Sequence, residues 1–305
     1  MKTETIAFSL ASFLLFFTFI NHIEEKLPYA LRDSLDNEIA FASLAVTTPP
    51  YIALPELPIS NYLDNPLEIN AKSFRISFVK ENNDLFSFED GMRWPIASLT
   101  KLLTSVVAIE KLSLNQIIKI ELDDILTEGS ALNLKTGEMF SVKDLITAML
   151  TVSSNDSANA LARAYSYKDF IQSMNDKAFA IGMRSSSFFD PTGLSVLNQS
   201  TARDLEKLAN YIFKNYPELF TISRNKENFI IELGTRQTHK LTNINKFAGN
   251  LDFIGGKTGY IEEARGNLLS IFNWNNRNIL IIILGSEDRF TETSKLYNWV
   301  KDRLK

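Results

Sequence analysis

The chain of 305 residues contains no cysteine and only two histidines. Without cysteine there is no thiol nucleophile, no thiolate metal ligand and no disulfide, so the fold depends on packing alone. One histidine, His22, lies beside an apolar N-terminal run, so a Ser-His-Asp triad or a histidine-rich metal site would depend on His239. We therefore expect neither a metal nor another cofactor.

Clusters of basic residues are also missing. The chain has 32 Lys and Arg against 36 Asp and Glu, which gives a net charge of −4. A nucleic-acid-binding surface needs a concentration of positive charge, so nucleic acid is not an expected partner. Hydrophobic residues make up 45% of the chain and charged residues 22%, which is the composition of a folded globular protein with a packed core.

The N-terminal residues differ from the rest in composition. Residues 6–20, IAFSLASFLLFFTFI, form an apolar run typical of a signal peptide or a short membrane anchor. The nearest small-x-small sequence, Ala40-Phe41-Ala42, lies too far downstream for an ordinary cleavage site, which favours an uncleaved anchor; a buried helix is the alternative. We predict a signal peptide or anchor at 1–22, a linker at 23–70, in part proline-rich, and an exported folded domain at 71–305.

The apolar pattern of residues 71–305 indicates an α/β fold of the mixed α+β kind. FRISF alternates as a half-buried strand does, LFSF follows after a turn, and a buried helix runs from Ala97 to about Leu112. Residues 113–250 are predicted as a mostly helical lobe. Three strand-like runs and a closing helix follow: DFIGGKTGYI, GNLLSIFNW, NILIIILGS and SKLYNWVKDRLK. This order predicts one antiparallel sheet formed by both ends of the domain, with flanking helices and a cleft beside the helical insertion.

Three short polar motifs stand out, and each occurs twice. Ser-x-x-Lys occurs at 98–101 and 223–226, Ser-x-Asn at 153–155 and 173–175, and Lys-Thr-Gly at 257–259 and 135–137. The surroundings favour the first-named copy of each. Ser98 opens an apolar helix that would desolvate a lysine, whereas Ser223 lies in the polar stretch SRNKEN. Residues 153–155 precede a helix, and Lys257 follows two glycines in a strand, whereas Lys135 lies in a predicted surface turn.

In this order the three motifs resemble those of penicillin-recognising serine enzymes. The sequences around them are similar to those of the low-molecular-mass penicillin-binding proteins that are serine-type D-alanyl-D-alanine carboxypeptidases: PIASLTKLLT, SSNDSANALA, FFDPTGLS followed by NQSTARDL, and GGKTGY. The resemblance covers residues 72 to about 300. It implies the fold shared by β-lactamases and D,D-peptidases, and a place in the cell envelope, on the extracytoplasmic face of a bacterial cytoplasmic membrane.

Ser98 is the expected nucleophile and Lys101 its base. A serine hydroxyl attacks only when a base takes its proton, and Lys101 is one helical turn away. Burial and a nearby cation such as Lys257 would lower the pKa of Lys101. The resemblance implies that Ser153 relays a proton to the leaving group, and that the backbone N–H groups of Ser98 and Tyr260 form the oxyanion hole.

The resemblance also implies the groups that bind substrate. Asn155 would hold the peptide carbonyl of the substrate, while Lys257 and Thr258 would receive its C-terminal carboxylate. Gly259 would keep the strand open to substrate. The implied substrates are peptidoglycan stem peptides that end in D-Ala-D-Ala, and the implied inhibitors are β-lactams, bound covalently.

We therefore expect a D-Ala-D-Ala carboxypeptidase that works through a Ser98 acyl-enzyme. A D,D-endopeptidase of cross-links carries the same motifs and is an alternative, as is a catalytically weak wall-binding or regulatory relative. A class A β-lactamase is disfavoured, because its Glu-x-x-Leu-Asn motif follows Ser-x-Asn. Here the nearest string, Glu128 with Leu132 and Asn133, has a different spacing and precedes Ser153.

Overall fold

The computed structural model of the protein describes residues 67–81, 84–126 and 132–303, which belong to one compact unit. In chain order the strands are β1 (Ser73–Phe78), β2 (Asp84–Phe88), β3 (Trp94–Pro95), β4 (Ile117–Lys119), β5 (Met139–Ser141), β6 (Gln199–Ser200), β7 (Glu227–Ile231), β8 (Thr238–Thr242), β9 (Phe253–Ile261), β10 (Arg265–Trp274) and β11 (Arg277–Ser286).

The helices are α1 (Thr100–Lys111), α2 (Leu122–Ile125), α3 (Val142–Thr151), α4 (Asn155–Tyr165), α5 (Tyr167–Ala180), α6 (Ala202–Asn215), α7 (Glu218–Arg224) and α8 (Arg289–Arg303). Side-chain caps fix the start of several of them. Ser141 accepts a hydrogen bond from the N–H of Asp144 before α3 (3.1 Å), and Thr201 accepts one from Asp204 before α6 (3.0 Å).

Five strands form the central sheet in the order β2-β1-β11-β10-β9, and all neighbours are antiparallel. β10 and β11 are joined by the two-residue loop Asn275-Asn276, in which φ is +50° and +61°. Asparagine tolerates this conformation, which a tight hairpin requires. The predicted antiparallel sheet formed by both ends of the domain is confirmed.

Apolar residues cover both faces of this sheet. In β11, Leu280 and Ile282 join the core beneath the helical lobe, while the alternate residues Ile279 and Ile281 join a second core with residues of α8. Successive side chains of a strand point to opposite faces, so residues 279–284 of β11 are continuously apolar because this part of the strand is buried on both sides.

All six residues of β1 are buried, so the prediction of a half-buried strand is wrong. Phe74 and Ile76 pack on the α8 side. On the other face Arg75 forms ion pairs with Asp90 and, at 2.7 Å, with Glu206 of α6. These carboxylates take the place of water around the guanidinium, which the alternating pattern of the strand alone did not indicate.

Residues 227–242 form a hairpin, β7–β8, that the sequence analysis did not predict within the mostly helical lobe. It buries Ile230 and Leu241 on one side. Beside it, Glu232 accepts hydrogen bonds from the Thr235 hydroxyl (2.7 Å) and from the N–H of Met139 in β5 (2.9 Å). The Thr235 hydroxyl and then the backbone N–H groups lower the pKa of Glu232 to about 2.

The predicted signal peptide or anchor (1–22) and residues 23–66 of the predicted linker lie outside the described residues. Of the remaining linker residues, Leu67 and Ile69 pack against the core on the α8 side. Within the described ranges, no helix has both the length and the apolar character needed to cross a bilayer.

Candidate active site

Ser98 lies in a 3₁₀ turn, Ala97–Leu99, that leads directly into α1. The residue before it, Ala97, is buried and has a φ of +47°, a left-handed conformation that costs energy for alanine and persists only where the surroundings fix it. Ser98 is therefore held at the N-terminal end of α1, where backbone N–H groups lack partners within the helix and favour negative charge.

Lys101 is fully buried, and its ammonium nitrogen has three oxygen neighbours. Nζ lies 2.9 Å from Ser98 Oγ and donates to Asn155 Oδ1 (2.8 Å) and to the carbonyl oxygen of Thr192 (2.6 Å). Burial lowers the pKa of Lys101 to about 7, against a smaller opposite effect of the Asp190 carboxylate. Near neutral pH this amine is available as a base.

The FFDPTGLS segment supplies the Thr192 carbonyl. The sequence analysis names this segment only as part of the family resemblance, and in the structure it forms a turn. Asp190 Oδ1 accepts from the N–H groups of Thr192 (2.7 Å) and Gly193 (2.6 Å), and Oδ2 accepts from the N–H of Ser195 (2.8 Å). This carboxylate closes the turn in a shape that aims the Thr192 carbonyl at Lys101, so the segment belongs to the site.

Asn155 is the first residue of α4. The helix is capped by Ser154, whose Oγ accepts a hydrogen bond from the N–H of Ser157 (3.1 Å). This cap fixes where α4 begins, and with it the position from which Asn155 Oδ1 reaches Lys101.

A hydrogen bond joins Ser153, between α3 and α4 of the helical lobe, to Lys257 in β9 of the sheet. Lys257 Nζ donates to Ser153 Oγ (2.9 Å) and to the carbonyl oxygen of Thr258 (2.8 Å). Ser153 has a φ of +61°, which turns its side chain out of the connection between α3 and α4. Burial, and then the charges of Lys101 and Arg289, hold the pKa of Lys257 well below its usual value.

β9 is an edge strand of the sheet, and no strand of the described chain pairs with its outer edge. The N–H of Gly256 and the C=O of Thr258 both point outwards, since they bond to Ser223 Oγ and Lys257 Nζ. Peptide groups alternate in direction along a strand, so the N–H of Tyr260 points to the same edge. A Cβ on Gly259 would lie 2.8 Å from the Ile96 carbonyl oxygen, so glycine lets β9 approach the Ser98 turn.

Arg289, at the start of α8, is a candidate site residue that the sequence analysis missed. Its Nη1 donates to the carbonyl oxygen of Gly259 (3.1 Å), and its charge contributes to the lowered pKa of Lys257. Arg289 lies 32 residues after Lys257 and matches no motif, so only the folded sheet brings the two cations together.

The second copies of the motifs lie apart from this constellation. Lys226 and Lys135 are exposed, and Ser173 is on the exposed side of α5, where its hydroxyl donates to the carbonyl of Asp169 (2.8 Å). Ser223 differs from the expectation for a polar stretch: it is buried and accepts the N–H of Gly256 (3.0 Å).

The geometry joins five of the predicted site residues in two hydrogen-bonded groups. Ser98, Lys101 and Asn155 form one group, and Ser153 and Lys257 form the other. A hydroxyl beside a buried amine of lowered pKa can act as an activated nucleophile. Among the described residues, no cluster of three or more histidine or acidic side chains offers a metal site.

Comparisons with known proteins agree on one family. The family model described as D-alanyl-D-alanine carboxypeptidase, peptidase family S11, matches residues 61–288. A D-alanyl-D-alanine endopeptidase of Escherichia coli (strain K12) is 31% identical over 243 residues, 77% of this chain and 78% of the relative. The D-alanyl-D-alanine carboxypeptidase DacC of the same organism is 31% identical over 223 residues, 67% of this chain and 54% of the relative.

A solved structure agrees with these matches. Penicillin-binding protein D2 from Listeria monocytogenes, in its ampicillin-bound form, superimposes with a TM-score of 0.67 at 27% identity, over 77% of this chain and 98% of the other. The resemblance stated from the motifs and the predicted fold class are both confirmed.

Proposed function

Because the chain belongs to the D-alanyl-D-alanine carboxypeptidase family, we propose that it removes the terminal D-alanine of peptidoglycan stem peptides through an ester on Ser98. The observation that carries the proposal is the 2.9 Å contact between Ser98 Oγ and the amine of Lys101, whose burial lowers its pKa to about 7. A nucleophile therefore lies beside a base that is partly deprotonated near neutral pH.

Acylation begins when Lys101 takes the Ser98 proton. A neutral amine has two N–H groups and one lone pair. The two N–H groups are directed to Asn155 Oδ1 and to the Thr192 carbonyl, so the lone pair is left facing Ser98 Oγ. Ser98 Oγ then forms a bond to the carbonyl carbon of the penultimate D-alanine.

The oxygen of that carbonyl gains negative charge as the bond forms. Two backbone N–H groups would stabilise it: that of Ser98, at the start of α1, and that of Tyr260, on the outer edge of β9. Loss of one such donor in comparable sites costs about 3 kcal/mol of transition-state stabilisation. Gly259 matters here because it lets the two donors approach one another.

The C–N bond breaks when the leaving amine receives a proton. Ser153 would supply it and recover one from Lys101, and the contact with Lys257 holds the Ser153 hydroxyl in place (2.9 Å). Lys257, Thr258 and Arg289 would bind the carboxylate of the leaving D-alanine, a charge-assisted contact. Water then hydrolyses the Ser98 ester and restores the hydroxyl.

The compartment follows from the substrate. Peptidoglycan lies in the cell envelope, so the catalytic domain (71–305) would be exported. The apolar residues 6–20 would serve as a signal or as an anchor in the cytoplasmic membrane, with residues 23–70 as a linker. β-Lactams, which mimic the acyl donor, would acylate Ser98 covalently.

A D,D-endopeptidase is the second candidate function. The match covers 78% of the E. coli endopeptidase but 54% of the carboxypeptidase DacC. In a cross-link to the D-centre of diaminopimelate, the leaving amine is again flanked by a carboxylate, which Lys257 and Arg289 could bind. The two substrates differ in the side chain of the leaving residue, a methyl group in one and a long chain in the other.

Labelled penicillin tests the nucleophile. We expect one covalent adduct per chain, located on Ser98 by peptide mass spectrometry and absent from Ser98→Ala. Lys257→Ala should acylate at a rate lower by about 100-fold or more, since it loses a charged contact to the ligand carboxylate. Lys135→Ala, in the second Lys-Thr-Gly copy, is the matched control and should acylate normally. A folded protein without an adduct, or an adduct that survives in Ser98→Ala, would refute the proposal.

The reaction is then identified with two substrates. A stem pentapeptide and a purified cross-linked dimer are incubated separately, and released D-alanine and monomeric stem are measured. D-alanine from the pentapeptide supports a carboxypeptidase, and cleavage of the dimer alone supports the endopeptidase. Failure on both, despite a Ser98 adduct with penicillin, would leave the wall-binding relative as the better description.

A further inference from the structure

Ser223 belongs to the Ser-x-x-Lys copy that the active site does not use, yet it is buried at the end of α7. Its hydroxyl donates to the carbonyl oxygen of Phe220 (3.1 Å) and accepts the N–H of Gly256 (3.0 Å). The Ser223 hydroxyl thus donates its proton to α7 and accepts a hydrogen bond from β9. Gly256 is the residue directly before Lys257.

α7 also packs closely against β9 at Gly255. A Cβ on Gly255 would lie 2.5 Å from the carbonyl oxygen of Phe220, and the φ of Gly255 is +155°. Because Gly255 has no side chain, the backbone of Phe220 lies directly against the backbone of β9. We therefore expect a displacement of α7 to displace β9 as well. The bond from Gly256 to Ser223 fixes the position along the strand.

The same helix is tied to the segment that carries Ser153. Asn228, in β7, donates from Nδ2 to the carbonyl oxygen of Ile222 in α7 (2.9 Å) and to Thr151 Oγ1 (2.9 Å). Thr151 is the last residue of α3, two positions before Ser153. One short helix thus contacts both sides of the Lys257–Ser153 hydrogen bond.

We propose that Ser223 is a positioning residue of the active site, which fixes Lys257 at hydrogen-bond distance from Ser153 by holding the N–H of Gly256. The proposal rests on the proposed function, because it requires that Lys257 and Ser153 act in acylation. Without the Ser223 hydroxyl, the Gly256 N–H has no acceptor at the buried edge of β9. An unpaired buried N–H is unfavourable, so β9 would shift to pair this group, and Lys257 would be displaced with the strand.

The test compares Ser223→Ala, Ser223→Thr and Lys226→Ala. Lys226 is the exposed lysine of the same motif copy, so Lys226→Ala is the matched control. The second-order rate constant of acylation by fluorescent penicillin is measured at pH 7.5 and at a temperature well below the Tm of each variant, where the protein is folded. We expect Ser223→Ala to be slower by about 10-fold to 100-fold, the cost of a misplaced catalytic group. Ser223→Thr and Lys226→Ala should stay within about twofold of the wild type.

Two further readouts separate positioning from general stability. Hydrogen exchange should accelerate at the N–H of Gly256 in Ser223→Ala but not in Lys226→Ala. Lys257 binds the ligand carboxylate only while it is charged, so acylation should slow at alkaline pH. In Ser223→Ala this decline should move to higher pH, because a displaced Lys257 is better solvated and its pKa is less depressed. Wild-type acylation in Ser223→Ala, or an equal loss in a well-folded Ser223→Thr, would overturn the inference. A wild-type protein that forms no adduct would instead refute the proposed function.

Discussion

The rate of Ser98 acylation should rise with pH through the titration of Lys101. The perturbation is pH itself, and the reason is structural: burial holds the pKa of Lys101 at about 7 instead of 10.5. A lysine acts as a base only in its neutral form, and the fraction of that form falls as the pH drops below the pKa. With a pKa near 7, about half of the amine is neutral at pH 7, about one tenth at pH 6 and about one hundredth at pH 5. The acylation rate should fall about tenfold per unit below pH 6.

At high pH the profile should turn downwards. Lys257 binds the ligand carboxylate only while it is charged, and its pKa is also lowered, by burial and by the charges of Lys101 and Arg289. The rate should therefore decline at a pH below the ordinary lysine pKa of 10.5. Together the two lysines predict a bell-shaped profile.

The assay is single-turnover acylation with fluorescent penicillin between pH 5 and 10, with circular dichroism at each pH as the control for folding. The penicillin carboxylate stays ionised throughout this range, so the limbs report on the protein. Lys101→Arg supplies the matched variant, because a guanidinium does not lose its proton here. It should be slower by about 10²-fold to 10⁴-fold, the usual contribution of a general base. A flat rate from pH 5 to 8, or a rate that still rises by about tenfold per unit between pH 8 and pH 10, would refute the assignment of Lys101 as the base.

Three further substitutions test separate parts of the structure. Gly259→Ala should lower the acylation rate by about 100-fold with little change in far-UV circular dichroism, because its Cβ would lie 2.8 Å from the Ile96 carbonyl oxygen and push β9 from the oxyanion hole; normal acylation would contradict this. Arg289→Gln should raise the KM for a pentapeptide by about tenfold and change kcat less, because it removes a cation beside Lys257; an unchanged KM would rule it out of carboxylate binding. Glu232→Gln should lower the Tm at pH 7. The stabilisation from a lowered pKa of about 2 is complete above the ordinary carboxyl pKa of 4.5 and is lost as the pH falls towards 2, so the Tm difference should be smaller at pH 3.5; a constant difference would count against this role.

The site could be predicted from the sequence largely because its parts lie in short local segments. Ser98 and Lys101 share one helical turn, and Ser153 and Asn155 share one connection, so their spacing along the chain already determines most of their geometry. The apolar or polar surroundings of each motif then separate it from its second copy. In the structure the lysines of the two sets also differ in burial. Lys101 and Lys257 are buried, whereas Lys226 and Lys135 of the second copies are exposed.

Contacts between distant segments could not be predicted in this way. Lys101 donates a hydrogen bond to the Thr192 carbonyl, which lies 91 residues further along the chain. Arg289 donates to the Gly259 carbonyl only because α8 begins beside the edge of the sheet. The hairpin β7–β8 was missed because each of its strands has five residues, of which only Ile230 or Leu241 is buried. Helical periodicity in the neighbouring segments outweighed so short a signal.

Burial lowers the pKa of Lys101 to about 7, and the position of Asp190 keeps the opposite effect of its carboxylate small. Moving the pKa of a lysine from 10.5 to about 7 corresponds to about 5 kcal/mol of lost stability whenever the amine is charged. A carboxylate paired directly with Lys101 would remove that cost, but it would also keep the amine protonated and useless as a base. Instead both oxygens of Asp190 are occupied by backbone N–H groups of its own turn, and a neutral carbonyl, that of Thr192, meets the lysine. The carboxylate acts on Lys101 only from a distance, so its effect on the pKa is smaller than that of burial. The turn therefore positions the base without keeping it protonated. The apolar cores on the two faces of the sheet offset the resulting loss of stability.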